Sequence, residues 1–105
     1  MITDAPLWKV RFNRKAEKEF DKIDRPIQKK ITIYVSTHLL IGEDPRLFGH
    51  ALKGNLKEFW RYRIGDYRLI CHIDDHKKTI RIMHIGHRKD VYEILSLALL
   101  LDEEN

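Results

Sequence analysis

The order of hydrophobic patterns along this chain predicts an α+β fold: a mostly antiparallel four-stranded sheet with a helical hairpin on one face. Three observations support this prediction. One alternating segment opens the chain, two segments with helical spacing follow, and three more alternating segments are then joined by short turns. The predicted element order is β-α-α-β-β-β-α. At 105 residues the chain has the size of a single domain, which we expect to span 1–105.

The first strand and the first helix are predicted from residues 7–23. Residues 7–12 alternate between apolar and polar side chains, as a strand requires. Asn13 can cap a helix that runs to about Ile23, because Ala16, Phe20 and Ile23 recur at helical spacing. The sequence therefore predicts a strand followed directly by a helix.

A second helix is predicted after Asp24, which can cap it, with Pro26 in the first turn. Residues 42–45 end this helix, and 47–55 is interpreted as a loop. The apolar positions that share one face of the helix are Ile27, Ile31, Tyr34, Val35 and Leu39.

Three strands are predicted at about 58–64, 67–74 and 79–86. Gly65-Asp66 and residues 74–77 supply the connecting turns, and such short connections imply antiparallel pairing. Residues 91–101 predict a short C-terminal helix that is apolar nearly all round. A helix of that kind packs on the core or is covered by another chain.

The strand at 58–64 separates two kinds of side chain. Arg61 and Arg63 lie on one face, and Trp60, Tyr62 and Ile64 lie on the other, because successive strand residues point to opposite faces. Two neighbouring guanidinium groups repel each other unless a polyanion lies over them. The pattern therefore indicates a site for RNA phosphate, although ordinary exposed positions paired with acidic residues would give the same pattern.

Positive charge is concentrated in the second half of the chain. Of 20 Lys and Arg residues, 11 lie within 46–92, against 5 of the 16 acidic residues, so this segment has a net charge of +6. Five of the six histidines lie there as well. A basic surface of this kind raises the local concentration of an anionic partner.

Composition points to a folded chain in a reducing compartment. Hydrophobic residues make up 43% of the chain, and Cys71 is the single cysteine, so no intramolecular disulfide can form. The first residues lack a signal-peptide pattern, and no apolar run reaches membrane-spanning length. We expect a cytoplasmic protein with no membrane partner. Its histidines lack the spacing of a zinc site.

Three segments in this order resemble the RelE/ParE superfamily of bacterial toxins, and in particular the RelE-like messenger-RNA endonucleases of type II toxin–antitoxin systems. The segments are 52–54 (Leu-Lys-Gly), 60–70 and 86–92, and the resemblance covers roughly residues 7–95. It implies a ribosome-dependent endoribonuclease that cuts mRNA in the A site. The 2′-hydroxyl would attack without a metal or other cofactor, leaving a 2′,3′-cyclic phosphate.

The resemblance also implies the site residues. The family's catalytic positions fall on Arg61, Arg63, Arg68, Arg88 and Tyr92. The best-known RelE-type enzymes have lysines at the first two positions. An arginine effectively cannot lose its proton, so Arg61 and Arg63 are assigned to holding phosphate. Candidate RNA contacts are Lys53, Lys57 and Lys89.

Proton transfer has two candidates. The resemblance favours Tyr92, whose pKa the surrounding arginines would have to lower, whereas His87 is a histidine, the residue type whose ordinary pKa is near neutrality. Arg68 could instead form a salt bridge with Asp66 or Asp74. His72 and His84 are interpreted as packed strand residues rather than catalytic ones.

Two other functions stay open alongside the nuclease. The ParE-like branch shares the fold and inhibits DNA gyrase without nuclease activity, and a non-catalytic nucleic-acid-binding module is a further alternative. The expected partners are mRNA, the ribosome and a RelB-like cognate antitoxin. We expect the antitoxin to cover the apolar residues 94–101 and to block Tyr92 and the arginines.

Overall fold

A five-stranded sheet with two helices forms the part of the chain that this computed structural model describes, which is residues 8–40 and 44–91. The strands are β1 (Lys9–Phe12), β2 (His50–Ala51), β3 (Phe59–Ile64), β4 (Tyr67–Asp74) and β5 (Thr79–His87), and the helices are α1 (Arg14–Asp21) and α2 (Arg25–Tyr34). The strand order is β1-β5-β4-β3-β2. The pair β1–β5 is parallel and the other pairs are antiparallel, which confirms the predicted class.

The sheet has one strand more than predicted, because the predicted loop 47–55 contains β2. His50 pairs with Arg61 and Ala51 with Trp60. Gly49 makes this possible, since its φ of +72° turns the chain and a Cβ there would overlap the carbonyl oxygen of Arg61. Two residues are too few to show an alternating pattern, so the four-strand prediction was wrong by this edge strand.

Both helices lie where the sequence predicted them, although their caps differ. Asn13 caps α1 as expected, its side-chain oxygen accepting from the backbone N–H of Ala16 at 2.8 Å. Asp24 occupies the N-cap of α2 without a side-chain hydrogen bond, so that part of the prediction was wrong; its backbone carbonyl accepts from Ile27 and Gln28 instead.

The helix α2 continues beyond Tyr34 as a π-helical turn, Val35–Leu39. The backbone N–H of Leu40 donates to the carbonyl of Val35 at 3.0 Å. Together α2 and this turn keep the predicted apolar stripe against the sheet, with Ile31 and Leu39 fully buried.

The core lies between the helices and one face of the sheet, which we call the helix-covered face. Trp60, Tyr62 and Ile64 point into it, as predicted. Their polar atoms are used: the Tyr62 hydroxyl donates to the Pro45 carbonyl at 2.8 Å, and the Trp60 indole N–H donates to the Phe48 carbonyl at 2.6 Å. Burial raises the pKa of the Tyr62 hydroxyl. Cys71 is a core thiol, also as predicted, and burial raises its pKa.

β5 contains a β-bulge, which explains why its buried apolar residues do not follow strict alternation. Ile70 pairs with His84, but the next residue, Cys71, pairs with Ile82, so Met83 is the extra residue. The bulge lets Ile82 and Ile85 both be buried although they are three positions apart.

β5 continues past the end of β1, and α1 lies beside the edge that this leaves. The Glu19 carboxylate accepts from the backbone N–H of Ile85 at 3.1 Å. Its second oxygen is 2.6 Å from Nδ1 of His84, which is buried. The packed role predicted for His84 is confirmed.

Within the described part of the chain, no helix has the length and apolar character needed to cross a membrane.

Candidate functional site

The face of the sheet opposite the helix-covered face carries Arg61 and Arg63 of β3, and we call it the arginine face. Arg63 is exposed and pairs with Arg68 of β4, and Arg61 pairs with Ile70. Residues directly opposite in an antiparallel pair lie on one face, with Cβ atoms about 4.5–5.5 Å apart. The predicted separation of arginines from aromatic residues on β3 is therefore confirmed, and a third arginine adjoins them.

Among the described residues, the hairpin turn rather than a carboxylate holds Arg68. It is only 4% exposed, and its Nη1 donates to the carbonyls of Gly65 and Tyr67 at 2.9 Å each. The alternative salt bridge with Asp66 or Asp74 is not formed. Gly65 has a φ of +58°, as the first position of a type II′ hairpin turn requires. Arg68 therefore contributes both positive charge and hydrogen bonds that hold the turn.

The chain after β5 returns to the same hairpin. The backbone N–H of Arg88 donates to the Asp66 carbonyl at 2.7 Å, and residues 88–91 form a helical turn. Val91 is fully buried, and a Cβ added to Gly86 would lie 3.1 Å from its Cγ2. This bond brings Arg88 to the end of the arginine face that carries Arg63 and Arg68.

The candidates for proton transfer differ in position. His87 pairs with Tyr67, its ring contacts that of Tyr67 with centroids 5.8 Å apart, and its Nδ1 accepts from the Lys89 N–H at 3.3 Å. This register continues the row of Ile64, on the helix-covered side, so the structure does not bring His87 together with the arginines. Tyr92 and the rest of the predicted C-terminal helix lie outside the described residues.

The candidate lysines are all exposed. Lys53 and Lys57 flank the 3₁₀ turn Gly54–Leu56, which connects β2 to β3, and Lys89 lies in the helical turn after β5. Lys53 and Lys57 lie at the end of β3 opposite the hairpin, whereas Lys89 follows Arg88 at the hairpin end. Their role as RNA contacts stays a prediction.

Sequence reasoning missed a second group of polar residues at the opposite end of the arginine face. They line a cleft of about 290 Å³ and come from β1, β4, β5 and the turn between β4 and β5. The lining residues are Lys9, Arg11, His72, Asp74, Lys77, Thr79 and Arg81. The period-two pattern could place each residue on a face, but no sequence signal gave the parallel pairing of β1 with β5 that brings Arg11 beside Arg81.

A metal site does not form among the described residues, where no group of three or more His, Cys, Asp or Glu side chains converges. The chemistry that the arrangement can supply is electrostatic. Guanidinium groups match phosphate oxygens, and those at positions 61, 63, 68 and 88 come from two strands and a turn joined at one end of the sheet.

The fold and this cationic face define the class of protein: a small α+β domain with the architecture of the RelE and ParE toxins. The family model described as ParE toxin of the type II toxin–antitoxin system, parDE, matches residues 10–92. The chain belongs to this RelE/ParE superfamily of type II toxins, as its sequence predicted.

Individual relatives give the same result. Toxin RelG of Mycobacterium tuberculosis is 30% identical over 83 residues, which cover 79% of this chain and 93% of that protein. The toxin–antitoxin complex RelBE2 of the same organism matches with a TM-score of 0.70 and 27% identity, over 81% of this chain and 94% of the other. The isolated E. coli RelE toxin shares the fold, with a TM-score of 0.65 and 21% identity over 88% and 98% of the two chains.

Proposed function

We propose that this toxin is a ribosome-dependent endoribonuclease that cuts mRNA in the A site. The 2′-oxygen attacks the adjacent phosphorus, the bond from phosphorus to the 5′-oxygen breaks, and the products carry a 2′,3′-cyclic phosphate and a 5′-hydroxyl. A base takes the proton of the 2′-hydroxyl, and an acid gives one to the departing oxygen. Such a protein would act in the cytoplasm, where translating ribosomes are.

The proposal is supported by the neighbouring positions of Arg61, Arg63 and Arg68 on the arginine face and by the hydrogen bond that joins the Arg88 backbone to the hairpin beside them. The phosphorane formed during the reaction carries more negative charge than the phosphate before it. Arginines stay protonated at any physiological pH, so they stabilise this charge without taking part in proton transfer. The reaction as proposed needs no metal or other cofactor for that purpose.

For the general base we favour Tyr92 over His87. The register of β5 directs His87 away from the arginines, whereas Tyr92 follows directly on the helical turn that Arg88 starts. Cationic neighbours favour the phenolate form of a tyrosine. Comparing the cleavage rates of Tyr92→Phe, which removes only a hydroxyl, and of His87→Gln identifies which residue is the base.

The decisive experiment uses an mRNA translated in a purified system, with the wild-type chain added. We expect cleavage within the A-site codon, and its loss when the nucleotide on the 5′ side of the cut carries a 2′-deoxyribose. Tyr92→Phe should lower the rate by about 10²-fold or more, and His87→Gln should leave it nearly unchanged. Cleavage of the deoxy-substituted message would contradict the mechanism, and the opposite result for the two variants would make His87 the base.

We also propose a cognate RelB-like antitoxin as partner, since several solved relatives are complexes of RelE toxins with RelB antitoxins. An acidic, amphipathic helix would cover residues 94–101 and the arginine face. The measurement is antitoxin affinity for the chain truncated after Glu93 and for a form with Arg61 and Arg63 changed to Glu. Unchanged affinity in both would place the antitoxin elsewhere.

The second candidate is inhibition of DNA gyrase, as in the ParE-like branch. It is favoured by the family model that matches this chain, whose description is that of a ParE toxin. A supercoiling assay with purified gyrase separates the two functions. Inhibition of supercoiling together with intact mRNA in the translation assay would replace the nuclease proposal.

A further inference from the structure

We propose that the cleft at the end of the arginine face far from the hairpin binds a second phosphate group of the RNA strand, a few nucleotides from the scissile one. We call it the distal cleft; its lining residues are those of the second polar group described above. The inference rests on the proposed function, because both phosphates belong to one RNA strand that lies along the sheet.

Strand register builds the distal cleft from two adjacent rows of side chains. Arg11 of β1, Arg81 of β5 and His72 of β4 form one row, and Lys9, Thr79 and Asp74 form the next. Residues in one row lie side by side on the same face. Three adjacent strands therefore direct nitrogen-bearing side chains into a cleft of about 290 Å³.

The charges in the cleft are not balanced. Four of its seven lining residues are Lys or Arg, and the single carboxylate is that of Asp74. That carboxylate accepts from the backbone N–H of Lys77 at 3.0 Å. Neither Arg11 nor Arg81 forms an ion pair with any residue in 8–40 or 44–91. Like charges directly opposite each other destabilise a sheet, and a bound anion removes that repulsion.

The position of the cleft favours an RNA strand over a small free anion. His72 and Arg68 are four residues apart on β4, so about 13 Å separates the row of His72 from the row of Arg68. At the cleft itself, Phe59 continues the row of His72, and the two ring centroids are 6.3 Å apart. A half-buried aromatic pair beside a cationic cleft is a surface on which a base of a single strand can stack.

The test uses the full chain and a single-stranded oligoribonucleotide with 2′-O-methyl groups, which binds without being cut. Fluorescence anisotropy over a series of salt concentrations gives affinity and salt dependence. We expect Arg11→Ala combined with Arg81→Ala to weaken binding about tenfold and to lower the salt slope by about 0.7, the value for one phosphate on a single strand. Lys77 lies in an exposed turn outside the sheet. Lys77→Ala should therefore also weaken binding and lower the salt slope, without altering the strands.

The matched control is Arg25→Ala, which removes one exposed arginine at the start of α2, on the other side of the sheet. It should leave affinity and salt slope unchanged. In the cleavage assay the double variant should raise KM and leave kcat as in the wild type, because the cleft does not touch the reacting atoms.

The outcomes separate this inference from the function on which it rests. If the wild type cleaves mRNA but the double variant and Lys77→Ala bind the oligonucleotide with unchanged affinity, the distal cleft is wrong and the nuclease proposal is unaffected. Weakened binding without any cleavage by the wild type supports the cleft and contradicts the nuclease. Two further results would overturn the distal cleft as part of an RNA path. One is that a mononucleotide competes for the chain as well as the unlabelled oligonucleotide does at the same concentration. The other is that the oligonucleotide does not bind at low salt.

Discussion

The two faces of β3 differ in what they contribute to the molecule. On the helix-covered face, Tyr62 is fully buried and its hydroxyl is hydrogen-bonded, so the side chain supports the fold. On the arginine face, one residue further along the same strand, Arg63 is exposed and pairs only with another arginine in register. One face of this six-residue strand therefore supports the fold, and the other is the face that we propose for the chemistry.

This difference shows why the site is able to carry unfavourable electrostatics. Repulsion between neighbouring guanidiniums weakens the sheet by a fraction of a kcal/mol to about 1 kcal/mol per pair. Burial of apolar side chains on the other face offsets this easily, since each fully buried large side chain contributes about 1.5–3 kcal/mol. Four predictions would sharpen or break the contrast.

The largest expected effect is on the helix-covered face. Tyr62→Ala removes a fully buried ring and leaves the Pro45 carbonyl without its donor, so we expect a loss of about 3–5 kcal/mol of stability. Urea denaturation measures it. Tyr62→Phe keeps the ring and should lose only the hydrogen-bond part. A Tyr62→Ala chain as stable as the wild type would contradict the assignment of stability to this face.

The next effect is on the arginine face. Arg63→Ala should change stability by no more than about 0.5 kcal/mol, as for an exposed residue, while lowering the cleavage rate about 10²–10³-fold. Arg25→Ala is the control for loss of one positive charge. If Arg63→Ala cleaves at the wild-type rate, the arginine face does not hold the scissile phosphate.

Arg68 is the residue that breaks the simple contrast. It lies on the arginine face but is 4% exposed and bonded to two carbonyls of the hairpin. We expect Arg68→Ala to destabilise the chain by about 1–3 kcal/mol, because those carbonyls lose their donor. Arg68→Lys tests which role dominates: restored stability without restored cleavage would separate the turn from the chemistry.

The effect that is smallest at neutral pH, and that grows only as the pH rises, comes from two buried ionisable groups. Burial raises the pKa of Cys71 and of Tyr62, so both groups ionise more easily in the unfolded chain. The folded chain then holds more protons above the ordinary thiol pKa, and stability should fall as pH rises beyond about 8.5, by up to about 1.4 kcal/mol per pH unit for one group. Thermal melting from pH 7 to 11 measures it. Cys71→Ala should delay the onset to about pH 10, where tyrosine takes over; an unchanged onset would exclude the thiol.

The sequence was sufficient for the elements whose patterns are long and regular. The last three strands and α1 were predicted within two residues, because side-chain periodicity reports directly which face is buried; α2 ends at Tyr34, earlier than predicted, and continues as a π-helical turn to Leu39. The same alternation placed Arg61 and Arg63 correctly. The edge strand β2 was missed because it depends on Gly49 allowing a close approach, which its neighbours in sequence do not reveal.

Features that depend on pairing between distant segments were also beyond sequence reasoning. Arg11 and Arg81 are 70 positions apart and meet only because β1 pairs in parallel with β5. The hydrogen bonds of Arg68 depend on how its side chain curls around the hairpin, and alternation gives only the face. His87 was placed near the arginines by sequence adjacency to Arg88, whereas the register sets it on the other side.

The carboxylate of Glu19 has a consequence for how copies of this protein behave towards one another. β1 ends at Phe12 while β5 continues to His87, so the second half of β5 would present an unpaired edge. Exposed edges are templates for another strand and lead to aggregation. Because Glu19 accepts from the Ile85 N–H, an incoming strand would have to displace a charged group from this edge. On the other side of the sheet, the two-residue strand β2 pairs with Trp60 and Arg61 of β3. The sheet is thus protected from edge-to-edge polymerisation along the second half of β5.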